Sequence, residues 1–143
     1  SVIRYHNRRG LPADETGECL FFSRLLRDAD KLDIYYVVTE HYRTNGNRHD
    51  KALGIEVPDR SEISEAVYRA LMKREIVDTH HVKTMNDAKL LKVGWVYDIH
   101  FARTFAEIRR RGYLPMIEKV LPDNERVRAV FARAYEWLEK RSR

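Results

Sequence analysis

Apolar residues recur at helical spacing along almost the whole chain, and nowhere do they alternate with polar ones over a sustained run as in a half-buried strand. The opening stretch ends at Gly10-Leu11-Pro12, the glycine-then-proline stop of a short helix. Asp14 or Thr16 then caps a long second helix. Its apolar residues Phe22, Leu25, Leu26, Ala29, Leu32, Tyr36 and Val37 form one stripe, and it runs to about His41 or Tyr42. Ile34 to Thr39 is β-branched and aromatic, but it continues that stripe without a break. Thr44-Asn45-Gly46-Asn47 is turn chemistry and opens a long loop reaching Pro58-Asp59.

Five further helical segments follow. Asp59 or Ser61 caps a helix through Glu65, Tyr68, Leu71 and Met72 that ends near Glu75, and Ile76 to Lys83 is a connection. Thr84 or Asn86 opens a helix carrying Leu90, Leu91, Trp95 and Ile99. Phe101 to Arg111 makes another, closed by Gly112, and Tyr113 to Leu121 a short one with Pro115 in its first turn. Asp123 caps the last, whose Val127, Val130, Phe131, Ala134 and Leu138 repeat on one face. The pattern predicts an all-α fold, an irregular bundle of about six to seven helices.

Composition adds limits. The 143 residues are enough for one domain with a real core, and 43% hydrophobic with 34% charged residues excludes a disordered chain. A net charge of +5 permits anionic partners such as nucleotides or RNA. The single cysteine, Cys19, excludes an internal disulfide framework, and no apolar run is long enough to span a bilayer, so a soluble cytoplasmic protein is expected. No initiator Met opens the chain, and Ser1 to His6 reads as the last turns of a helix already under way. A fragment or processed piece of a longer protein is therefore expected.

The richest local chemistry is Arg27-Asp28-Ala29-Asp30-Lys31-Leu32-Asp33. Asp30, four residues after Leu26 and seven before Val37, lies at the edge of the apolar stripe, and Asp33 falls inside it. Asp28 and Lys31 point away from it. A carboxylate on such a stripe must be paired, protonated or bound to a cation. Two readings follow: a buried ion pair with an arginine such as Arg27 or Arg4, or a metal site. His80-His81 and His49-Asp50 lie in polar segments with no helix to fix their geometry, and His41 and His100 have no partner at ligand spacing. Arg109-Arg110-Arg111 and Lys140-Arg141-Ser142-Arg143 suit last helical turns, and neither run is interleaved with aromatic residues. A phosphate-binding loop, a dinucleotide fingerprint and a nucleophile elbow are all missing from the sequence.

Tyr5-His6-Asn7, Leu11-Pro12 and Leu25-Leu26-Arg27-Asp28-Ala29-Asp30-Lys31-Leu32-Asp33-Ile34 resemble the second half of a bacterial HD domain. These helical metal-dependent phosphohydrolases take their ligands in the order of an isolated His, a His-Asp doublet, sometimes further histidines, and a final Asp. Ala29-Asp30-Lys31-Leu32 matches the final element. Thr84 to Leu91 and Gly94-Trp95-Val96 are similar to a C-terminal extension found in one branch.

The resemblance implies an HD-like core over residues 1–43, with a helical extension, 44–143, packed on it as one globular unit. It makes Asp30 and His6 ligands of a divalent metal ion, Lys31 and Asn7 contacts for the substrate, and Asp33 a supporting or structural group. The implied substrate is a phosphate monoester or nucleotide, attacked by metal-activated water. The isolated His and the doublet should precede His6, and no such residues do, so this chain alone is expected to be inactive, and no catalytic residue is assigned. Loss of their helices would uncover the stripe around Phe22, Leu26 and Val37 and favour homo-oligomers. The alternative is a non-catalytic basic helical module that binds nucleic acid or nucleotide.

Overall fold

The computed structural model describes residues 17–45 and 62–142. Six α-helices account for most of them, and no strand occurs among the described residues, as the periodicity predicts. They are α1 (Gly17–Asn45), α2 (Glu65–Met72), α3 (Met85–Val93), α4 (Ala102–Arg111), α5 (Tyr113–Glu118) and α6 (Glu125–Arg141). The expected first helix and its stop at Gly10-Leu11-Pro12, the loop from Gly46 to Asp59, and His49-Asp50 lie outside the described residues.

Helix ends follow local chemistry. Thr84 caps α3 by accepting the Asp87 amide at 3.1 Å. Gly112, at φ +69, ends α4 in the left-handed conformation that glycine tolerates best. Two caps differ from expectation. Ser64, rather than Asp59 or Ser61, sits at the cap position of α2, with its amide and hydroxyl bound to Asp87. At α6 Asn124 accepts the Val127 amide at 2.9 Å, while the neighbouring Asp123 is drawn to Arg128 at 2.7 Å.

The helix expected from Thr84 to Ile99 changes character halfway. It is α-helical to Val93 and tightens into a 3-10 turn over Gly94–Asp98. Gly94 at the junction lets α2 approach closely: a Cβ there would meet Leu71 Cδ2 at 2.8 Å. The Tyr35 hydroxyl donates to the Lys92 carbonyl at the same place, satisfying one of the acceptors that a helix end exposes.

One apolar cluster runs from Tyr35, Val38 and Tyr42 of α1 to Leu138 of α6. Val127, Val130, Phe131, Ala134 and Leu138 are all buried, so the face read for α6 is the one the core uses. α1 packs against α4 and α5, and α6 packs against α2, α4 and α5.

The inward face of α1 is not the apolar stripe. Phe22, Leu25, Ala29 and Tyr36 are exposed, and Leu26, Leu32 and Val37 are half-buried. The buried residues are Ser23, Arg27, Asp28, Lys31, Tyr35, Val38, Thr39 and Tyr42. The helix is rotated so that a largely polar side meets the rest of the protein. Asp28 and Lys31, expected to point outward, are both buried.

Candidate functional site

What holds polar groups inside is a set of partners some seventy residues away. At the end of the 3-10 turn, Asp98 Oδ2 accepts from Arg27 Nε at 3.2 Å and from Lys31 Nζ at 2.8 Å, and also meets Arg27 Nη2. Its other oxygen lies 3.3 Å from His100 Nε2. Burial pushes the Asp98 carboxyl up, but the contacts from His100, Lys31 and Arg27 outweigh it and hold it at about 2. Arg27 thus has the buried ion pair that one reading required, with Asp98 and not with Asp30 or Asp33.

Asp28 is committed as well. It accepts the amides of His100 at 3.0 Å and Phe101 at 3.0 Å, just ahead of α4, and also the Thr104 hydroxyl. Phe101 at the cap position has no capping side chain of its own, so α1 supplies the carboxylate that caps α4 and faces its positive dipole end. Burial is the largest influence on Asp28 and raises its carboxyl above the ordinary value, against the pull of these donors.

Asp30 and Asp33 are placed differently. Asp30 is half-buried on the flank of α1 that also carries Leu26 and Val37, and it makes no side-chain hydrogen bond or ion pair with the described residues. Asp33 is exposed on the outer side beside Ala29 and Tyr36, also without a described partner. Lys31, expected as a phosphate contact, is held by Asp98. His6 and Asn7 lie outside the described residues.

The fit to a divalent ion is partial. Asp30 offers an uncommitted hard oxygen donor, suited to such an ion. Among the described residues no group of three or more His, Cys, Asp or Glu is placed to hold a metal. His80 and His81 occupy an exposed 3-10 turn, where His80 pairs with Asp78, and His41 is half-buried on α1.

Asp98 is the residue that sequence reasoning missed. Its signal was a lone carboxylate inside the apolar and aromatic run from Val93 to Phe101, a position that demands buried partners. A scan against protein-family models, a search of curated proteins and a search of solved structures each found no match. No helix among the described residues is long and apolar enough to cross a membrane.

Proposed function

We propose that this chain is the C-terminal part of an HD-type metal-dependent phosphohydrolase core, with Asp30 as one ligand of a divalent ion. The observation that carries this reading is the division of labour on α1. Asp28 and Asp98 are spent holding the helix in place, which leaves Asp30 as its half-buried carboxylate without a described partner. Asp30 is also the aspartate of the alanine-aspartate-basic-leucine turn, Ala29-Asp30-Lys31-Leu32, that supplies the final ligand in the family it resembles. The remaining donors, His6 among them, come in this reading from outside the described residues, and Asn7 lies beside the substrate.

A divalent ion would supply Lewis acidity for an attacking water and for the phosphoryl oxygens. The chain's own residues fix where that ion sits. Arg27, Lys31 and Asp28 set the rotation of α1, so Asp30 emerges on the flank opposite α4. Lys31 accordingly acts through Asp98 rather than on the substrate. The substrate class is a phosphate monoester or nucleotide, and the location cytoplasmic. Self-association belongs to the same reading, because the exposed large hydrophobic side chains among the described residues, Phe21, Phe22, Leu25 and Tyr36, are all on α1. A monomer in sedimentation at micromolar concentration would remove that part.

The direct test is turnover of a panel of phosphomonoesters and nucleotides with Mn²⁺ by the protein of the complete reading frame. Asp30→Ala should abolish it and Asp33→Ala should leave most of it. Undiminished turnover by Asp30→Ala would show the ligand assignment to be wrong.

A further inference from the structure

The last helix carries Arg133, Trp137, Lys140 and Arg141 at i, i+4, i+7 and i+8, so the four share one side of it. The fold builds an aromatic centre into that basic stripe. The Trp137 indole N–H donates to the Val96 carbonyl at 3.1 Å, and Tyr97 meets the ring edge-on with centroids 5.4 Å apart. The Arg141 guanidinium lies over the Trp137 ring, 3.7 Å from its centroid, and Arg74 from the end of α2 approaches the same ring at 5.4 Å. Arg74 does so from a left-handed backbone, φ +59, at a position after a helix where glycine is usual. Its Nε–H and the nearby Tyr97 hydroxyl are buried, and neither has a hydrogen bond of normal geometry.

Charge on this surface is only partly balanced. Glu136 is shared by Arg74, at 3.5 Å, and Lys140, at 2.9 Å. Among the described residues Arg133 and Arg141 are exposed and make no ion pair, as is also true of Arg24, Arg103 and Arg109, although Glu136 lies near enough to feel the Arg133 charge. Arg43, Arg69, Arg110, Arg111, Arg126 and Arg128 are each tied to a carboxylate.

We propose that the Arg133–Trp137–Arg141 stripe, extended by Arg74, is a docking surface for single-stranded nucleic acid. A guanidinium held over an aromatic ring is pre-organised and can still offer N–H groups to a phosphate. Its outer face offers a platform on which an unpaired base stacks. Arg133, two helical turns earlier, adds a second phosphate contact along the strand. The net charge of +5 favours the same class of partner. A lipid surface fits less well, because among the described residues the exposed large hydrophobic side chains lie on α1 and none on this stripe.

The test is fluorescence anisotropy of a labelled oligouridylate of about 12 nucleotides at low salt, with anionic phosphatidylserine vesicles as a second arm. We expect saturable binding that weakens as salt rises, with a log–log slope near −1.4 from about two phosphate contacts. Arg133→Glu with Arg141→Glu should weaken it about tenfold or more. Arg109→Glu with Arg110→Glu, the same change in net charge elsewhere, should weaken it far less. Arg74→Gly, which suits the left-handed backbone and so retains the fold, should weaken it about threefold by removing one cation. No oligonucleotide binding, equal losses from the two double variants, or binding to vesicles alone would each overturn the proposal.

Discussion

Lys31 donates its ammonium to Asp98 across 2.8 Å, joining positions 67 residues apart, and Arg27 shares the same carboxylate oxygen. This contact sets the rotation of α1 and thereby decides which of its carboxylates are available. Asp98→Asn leaves two enclosed cations facing a neutral amide, and removing one member of a buried pair costs about 3 kcal/mol or more. Urea unfolding at neutral pH measures it. The acid dependence has a definite sign. A carboxyl held at about 2 stabilises the fold above its unfolded value of about 3.8, and that contribution disappears as pH falls through about 2. The stability gap between wild type and Asp98→Asn should therefore narrow from about pH 5 to about pH 2.

Asp28 has the opposite sign. Its carboxyl is raised, chiefly by burial, so the stability it contributes is complete below the unfolded value and declines as pH rises through the folded one. Asp28→Asn, which keeps one acceptor oxygen, should gain on wild type over the pH rise in which Asp98→Asn loses ground. Asp28→Ala orphans the amides of His100 and Phe101 and should cost about 1–3 kcal/mol more than Asp28→Asn at any pH. Parallel slopes for the two Asn variants in urea titrations across this range would contradict these assignments.

Tyr35 is completely buried, stacked on Tyr113 and edge-on to Trp95, with its hydroxyl on the Lys92 carbonyl. Tyr35→Phe retains the ring contacts and loses that bond, at about 1–2 kcal/mol. Tyr35→Ala also opens a cavity beneath α3 and should cost about 3–5 kcal/mol. Denaturant midpoints of the two variants separate the hydroxyl from the ring.

These contrasts show where the sequence was legible. Val127 to Leu138 could be read as a core face because each residue there is apolar and the spacing is local. Gly112 was equally plain and Thr84 was one of two candidates, since a left-handed cap and an N-cap depend on one or two neighbours. The rotation of α1 was not readable from its own stripe. Phe22 and Leu25 look inward by composition, but Arg27, Asp28 and Lys31 take the interior because Asp98, His100 and Phe101 await them across the fold. Nothing within a few residues of Arg27 reveals that partner. The aromatic centre of the basic stripe was hidden for the same reason, because Arg74 and Trp137 meet only in three dimensions. Asp30 could be picked out only by its motif, and the structure adds that the neighbouring Asp28 carboxylate is already committed.

In the proposed reading Asp28 serves the fold while Asp30 is left for a metal. Thermal unfolding of the protein of the complete reading frame, with EDTA and with excess Mn²⁺, tests it most directly. An ion that binds only the folded state raises the midpoint, by about 2.7 kcal/mol of stability at a hundredfold excess over its dissociation constant. Asp30→Asn should unfold with the wild-type midpoint in EDTA and lose the Mn²⁺-dependent rise, and Asp28→Ala, which orphans the His100 and Phe101 amides, should unfold earlier in EDTA yet retain the rise. An undiminished Mn²⁺-dependent rise in Asp30→Asn would contradict the account.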